Sequence, residues 1–150
     1  LRREAAKALE EMGRAAREEG ILLQAISAFR SFEYQEEVYL RYKTPDSSME
    51  EYQKERDKVS ARPGYSEHQT GLAVDINDLE ETFELTSAGI WLAANSHYFG
   101  YILRYPKGKE PVTGYSYEPW HFRYIGRKHA EAVHASELTF DEYATRYLPF

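Results

Sequence analysis

No cysteine occurs among the 150 residues, which removes disulfides, thiolate nucleophiles and cysteine-ligated zinc or iron sites together. Any bound metal must sit on His, Asp or Glu. The absence suits an oxidising compartment, where a stray thiol is a hazard, and equally the many cysteine-free cytosolic proteins. Long apolar runs are missing too: none approaches the roughly 18 residues of a spanning helix, so no embedded membrane segment is expected. Positive charge is in short supply, with 19 Lys and Arg against 25 Asp and Glu and a net charge of -6. Such a chain lacks the broad positive field that phosphate backbones require, which excludes nucleic acid as an expected partner. The stretch opens Leu1-Arg2-Arg3-Glu4 without an apolar signal core or small-residue cleavage site. A signal or anchor is therefore expected to lie outside it. At 17.5 kDa the length suits one domain over 1–150, and a monomer is expected.

What is present is patterning. Ala5, Leu9, Met12 and Ala16 recur at helical spacing among charged residues, with Gly20 as the stop, which predicts an amphipathic helix. Ile21 to Ala28 reads as a short buried strand, and Phe32 to about Tyr42 as a second helix. Thr44-Pro45-Asp46-Ser47 is a break, after which Ser48 and Glu51 make a capping-box pattern for a solvated helix running to about Val59. Leu72, Val74 and Ile76 alternate with Ala73, Asp75 and Asn77, and period two predicts a strand. A helix over Thr86 to His97 is expected to bury Ile90, Trp91 and Ala94, with Gly100 ending it and a strand over Tyr101 to Arg104. A Lys107-Gly108-Lys109 turn, a strand over Trp120 to Tyr124, a helix from Gly126 to about Ala135 and a last one capped by Thr139 and Glu142 complete the chain. The sum is α+β, a small antiparallel sheet with helices packed against it. Thirteen tyrosines suit an aromatic core and an amphipathic cleft.

Polar information is densest in Ser66-Glu67-His68-Gln69-Thr70-Gly71-Leu72-Ala73-Val74-Asp75. Strand parity turns Leu72, Val74 and Ile76 into the core and Asp75 to the other face. Gly71 permits a backbone turn that folds His68 back over Asp75, so the two can share a metal. Taken alone, a His and an Asp at this spacing are more often a loop and a turn residue. A second cluster, Glu118-Pro119-Trp120-His121, shifts that balance. Trp120 and Phe122 are expected to face the core and His121 the opposite side, where it can be a third ligand. A His, Asp, His set suits catalytic zinc, which takes three protein ligands and keeps one position for water. Pro119 breaks ladder geometry, which lets Glu118 approach the same site as a base. His129 and His134, five apart on a helix, point about 140° away from each other and do not suit one metal. His97 is expected at a helix end, where a charged imidazole meets the negative end of the dipole. Tyr34, Tyr65, Tyr115 and Tyr117 flank the motifs and receive no catalytic role.

The pattern Ser66-x-His68-x-x-Gly71-x-Ala73-x-Asp75, followed by Glu118-x-Trp120-His121, resembles the signature of the VanY-type D-alanyl-D-alanine carboxypeptidases of bacterial peptidoglycan. That family is closely similar to the L,D-carboxypeptidases, within the wider group of zinc peptidases that includes lysostaphin and the hedgehog signalling domain. Ser27-Ala28-Phe29-Arg30-Ser31 resembles the family's strand-end arginine motif, and Phe99 to Pro106 resembles its central hairpin. The resemblance implies the hedgehog/DD-peptidase-like fold, zinc as cofactor on His68, Asp75 and His121, Glu118 as general base and Arg30 as the cation over the scissile carbonyl. Ser66 and Gln35 are implied substrate contacts. The implied partner is a peptidoglycan stem peptide or precursor, and the implied location is extracytoplasmic, at the cell envelope.

Three activities remain open at this level. The first is a carboxypeptidase releasing C-terminal D-alanine, with D,D favoured over L,D. The second is a zinc-containing binding module of hedgehog type, against which Glu118 and Arg30 argue, since binding alone needs neither a base nor an oxyanion cation. The third is an endopeptidase, which requires a cleft open at both ends.

Overall fold

The computed structural model describes residues 1–148. The first helix, α1 (Arg3–Glu18), turns Ala5, Ala8, Met12 and Ala16 inward, the i, i+3, i+4 stripe expected of a helix lying on a core. Its small residues allow close approach, and the Tyr101 hydroxyl donates to the Ala5 carbonyl at 2.7 Å. Four short strands form one antiparallel sheet: β1 (Ala25–Ser27), β2 (Ala73–Ile76), β3 (Tyr101–Leu103) and β4 (His121–Tyr124), in the order β1-β2-β4-β3. Val74, Ile76 and Phe122 join Phe83, Trp91, Leu92 and Tyr101 in the main core beneath α1. Every residue of β2 is buried, because β2 is central and its outer face carries the polar site described below.

The other helices are α2 (Phe32–Leu40), α3 (Met49–Arg56), α4 (Ser87–Asn95), α5 (Glu110–Thr113), α6 (Arg127–Ser136) and α7 (Phe140–Tyr147). Both expected capping boxes form with both of their hydrogen bonds, Ser48 with Glu51 on α3 and Thr139 with Glu142 on α7. No residue of α3 is buried, as its charge content implies. Helices α6 and α7 bring Ala130, Val133 and Tyr143 onto Ile102 in a second, smaller cluster.

Three expectations are corrected. The segment Ile21 to Ala28 contains only the three-residue β1, and Ile26 is 42% exposed, because β1 is the sheet edge and pairs on one side only. Its apolar neighbours Ile21 and Leu23 pack against the core from outside the strand. Ile90 and Ala94 are exposed rather than buried, and Ala88, Gly89, Trp91 and Leu92 form the inner face of α4. The turn at Lys107 leads into α5, a short helix with a proline in its first turn that no apolar period announced.

Gly89 shows what packs α4 so closely. A Cβ at this position would lie 2.1 Å from the Phe83 carbonyl oxygen and 2.9 Å from its carbon. Alanine is favoured over glycine in a helix by about 1 kcal/mol, but a backbone clash of this depth forces the Glu81–Leu85 turn away from the core. Gly89→Ala is therefore expected to lose about 1–3 kcal/mol, the usual penalty of overpacking. Urea denaturation checks it, as a lower midpoint with an unchanged slope.

Candidate metal centre

Register places the site. Asp75 on β2 and His121 on β4 are direct cross-strand partners, so their side chains leave the same face of the sheet side by side. His68 arrives from the preceding 3-10 helix, Glu67–Thr70, which ends on Gly71 at φ 70°, the left-handed conformation that glycine accepts without cost. That turn returns the chain into β2 and folds His68 over Asp75, as the sequence reading expects. One donor atom from each of His68, Asp75 and His121 lies within 4.8 Å of the others, and all three residues are buried.

Each imidazole offers the centre a different nitrogen. His68 Nε2 lies 3.3 Å from Asp75 Oδ2, while its Nδ1 is 2.6 Å from the Ala28 carbonyl. A carbonyl only accepts, so Nδ1 carries the proton and Nε2 is free to ligate. His121 is reversed. Its Nδ1 lies 3.1 Å from Asp75 Oδ1, and its Nε2 lies 3.4 Å from Glu67 Oε2. Two imidazoles and a carboxylate, each with its far side engaged, make the donor set and outer support that zinc sites use. The residues present therefore fit a zinc ion.

Electrostatics differ sharply among these groups. Burial works against ionised Asp75, but hydrogen bonds from His121 and His68 outweigh it and hold the carboxyl well below the usual range. Burial lowers His68, which favours its neutral, ligating form. Burial would also lower His121, yet the Asp75 and Glu67 carboxylates on its two nitrogens raise it to about 9. Glu118 moves the other way, pushed up to about 7 by burial, with the Asp75 charge adding to the effect. Its Oε2 lies 3.6 Å from His121 Nδ1. The turn at Pro119, closed by the His121 amide donating to the Glu118 carbonyl at 3.1 Å, brings the carboxyl there as expected.

Arg30, three residues beyond β1, donates from Nη2 to Asp75 Oδ2 at 3.0 Å, from Nε to Ser27 Oγ at 3.1 Å and from Nη1 to Gln35 Oε1 at 3.0 Å. Its remaining edge lines a cleft of about 260 Å³, which Ser66, His68, Asp75, Glu118 and His121 also line. Ser66 Oγ accepts from the His68 amide at 3.3 Å, capping the 3-10 helix. Gln35, an implied substrate contact, is fully buried and absent from the cleft lining; its amide oxygen accepts from Arg30 Nη1 and its amide nitrogen donates to the Ala61 carbonyl at 2.7 Å.

Other histidines lie outside this group. His134 stacks on His97 with ring centroids 3.7 Å apart, and His129 Nδ1 pairs with the Tyr143 hydroxyl at 3.1 Å. His97 is buried and its pKa lowered by that burial, which corrects the expectation of a charged imidazole at a helix end. Among the flanking tyrosines Tyr115 lines the cleft, and so does Tyr105, which packs on the His121 ring with centroids 4.9 Å apart. Tyr105 and Glu67 carry no functional mark of their own in the sequence, although both lie inside the motif segments.

Comparison with known proteins agrees with this geometry. The family model of VanY, D-alanyl-D-alanine carboxypeptidase, matches residues 1–127. YodJ of Bacillus subtilis (strain 168), a protein named for carboxypeptidase activity, is 43% identical over 149 residues, covering 95% of this chain and 53% of YodJ. The solved structure of the LdcB LD-carboxypeptidase superposes with a TM-score of 0.86 at 40% identity, covering 97% of this chain and 69% of that one. A variant of the vancomycin-resistance D,D-pentapeptidase VanY, solved in complex with Zn(II), superposes with a TM-score of 0.81 at 35% identity, covering 94% and 82%. The chain spans about half the length of the curated relatives it matches. With a matching family model over most of its length and the same small antiparallel sheet, the chain belongs to the VanY D-alanyl-D-alanine carboxypeptidase family.

Proposed function

We propose that this chain is a zinc-dependent carboxypeptidase that removes C-terminal D-alanine from peptidoglycan stem peptides, with D,D termini favoured over L,D. The observation that carries the reading is the convergence of His68, Asp75 and His121 beside the Glu118 carboxyl in one cleft. It acts outside the cytoplasmic membrane, at the cell envelope. A single domain over 1–150 working as a monomer suffices, since every site residue comes from one chain.

His68 Nε2, Asp75 and His121 Nδ1 are the residues that would hold the ion. Zinc, when bound, supplies Lewis acidity that makes water acidic near neutral pH and polarises a carbonyl. Glu118 takes the proton of the attacking water. The same carboxyl later returns the proton to the departing amine. Arg30, held rigid by Asp75, Ser27 and Gln35, places a fixed positive charge where the carbonyl oxygen becomes negative, a stabilisation that needs no reorganisation. The Ser66 hydroxyl is available to a terminal carboxylate. Arg41, Tyr42, Arg56 and Val59 from the α2–α3 segment line the outer part of the cleft, a wall that suits a chain end better than a strand running through. The solved LD-carboxypeptidase among the similar structures makes the L,D activity the second reading.

Incubating the protein with zinc and muropeptides ending in four and in five residues, followed by mass spectrometry, tests the function. Faster loss of D-alanine from the pentapeptide is expected; faster loss from the tetrapeptide reverses the preference, and cleavage within the stem refutes the exopeptidase reading.

Glu118→Gln is expected to keep its fold and its zinc while kcat falls by at least about 10²-fold, the usual contribution of general acid–base catalysis. Near-parental turnover would remove Glu118 from the role.

Metal uptake is expected to release protons. His121, raised to about 9, carries a proton on Nδ1 below that pH, and the ion must displace it. Between pH 7 and 8 at least one proton per zinc should leave, and affinity should rise with pH until about 9. Calorimetry in buffers of different ionisation enthalpy measures this, and uptake without proton release would contradict the assigned His121 environment.

A further inference from the structure

Glu67 sits between Ser66 and His68, yet its carboxylate reaches across to the ring of His121, 54 residues away. A histidine that ligates through one nitrogen is normally oriented by an acceptor on the other. His68 has a backbone carbonyl for this purpose, that of Ala28. His121 has the side chain of Glu67, and a side chain needs support of its own.

That support comes from a buried arginine. Arg104, directly after β3, donates from Nε to Glu67 Oε1 at 2.8 Å, and Arg123 Nη1 lies 3.4 Å from the same oxygen. The rest of the Arg104 guanidinium is held by a fork. Nη1 and Nη2 donate to the two carboxylate oxygens of Asp141 at 2.6 and 3.0 Å. Bidentate pairing of this kind fixes the guanidinium plane as well as its charge. Tyr105 and Phe140 lie against it, with centroids 4.9 and 5.7 Å from its carbon. Asp141 stands in the first turn of α7, beyond residue 127, where the family match ends.

Resting on the reading that His68, Asp75 and His121 hold zinc, we propose that Glu67 is a positioning residue that holds the His121 ring with Nδ1 toward the metal, and that Asp141 sets Glu67 through Arg104. The C-terminal helix is then part of the metal site's support, although none of its residues reaches the ligands. Removing Asp141 frees one side of Arg104, which then competes for Glu67 in other geometries and loosens the ring.

Zinc affinity, measured by competition with a chromophoric chelator at fixed pH, tests this on the whole chain. Glu67→Ala is expected to weaken binding by about 10–100-fold, the range for loss of a partner that orients a ligand. Glu67→Gln, whose amide oxygen still accepts from Nε2–H, should recover most of it. Asp141→Ala, which removes no ligand and no contact to one, should weaken binding at least about threefold, consistent with an effect one step further out. In zinc-loaded protein, the His121 Nε2–H proton should be protected from solvent exchange in the parent and exchange faster in Asp141→Ala. Zinc affinity within twofold of the parent in both Glu67→Ala and Asp141→Ala would overturn the proposal. Should Glu67→Ala not fold, because it strands two buried guanidinium groups, Asp141→Ala decides by itself. Asp75→Ala separates the two levels: full zinc binding in that variant refutes the ligand assignment, whereas loss there with Glu67→Ala and Asp141→Ala both unchanged refutes only the positioning.

Discussion

The buried charge of Asp75 is the constraint around which this molecule is arranged. Its Oδ2 accepts from Arg30 and faces His68, and its Oδ1 faces His121, so three elements meet on one carboxylate: the segment after β1, the 3-10 helix and β4. An ionised carboxylate in such a place is costly unless every lone pair is engaged. Central placement of β2 supplies the engagement, because β4 brings His121 in register on one side and the segment following β1 brings Arg30 on the other. The core below and the site above are thus two faces of one strand. Val74 and Ile76 belong to the first and Asp75 to the second.

Much of this was legible because it follows local rules. Parity along Leu72 to Asn77 placed Asp75 outside the core, the Gly71 turn returned His68, and the Pro119 irregularity brought Glu118 beside His121. The signals at Ser48 and Thr139 marked true helix starts. What escaped has non-local causes. Ile21 to Ala28 reads as a buried strand by composition, but being an edge depends on which strands pair elsewhere. That Gln35 is buried against Arg30 depends on how α2 packs, which no local pattern states. Glu67 lies inside the motif, and only the fold reveals that it turns toward His121. Asp141 has no local signal at all, because its meaning depends on Arg104, 37 residues earlier.

The two imidazoles illustrate how one residue type is given two states. His68 has one carbonyl and one carboxylate, and burial keeps it neutral. His121 lies between two carboxylates and stays charged. Sequence cannot distinguish them, since both follow short polar motifs. Partners on the far nitrogen decide the matter, which is why the outer support of the site carries as much chemical information as the ligands.

Charge accounting around the cleft explains why such a site can accept a divalent ion without tearing itself apart. Arg30, Arg104 and Arg123 face Asp75, Glu67 and Asp141, so those six groups are close to neutral as a set. His121 then adds a proton, while Glu118 lies near its midpoint at neutral pH. His121 would give up its proton to a dication held by His68, Asp75 and His121, and Glu118 would shift toward its ionised form, both changes removing positive charge from the same few ångströms. The net charge of the buried region would therefore change by much less than two units. Because the adjustment is made by protons rather than by moving arginines, Arg30 and Arg104 can remain where hydrogen bonds hold them. The frame around the ligand set need not relax when the ion enters, and a rigid frame is what the proposed mechanism, with Arg30 as a fixed oxyanion charge and Glu118 as the proton carrier, requires.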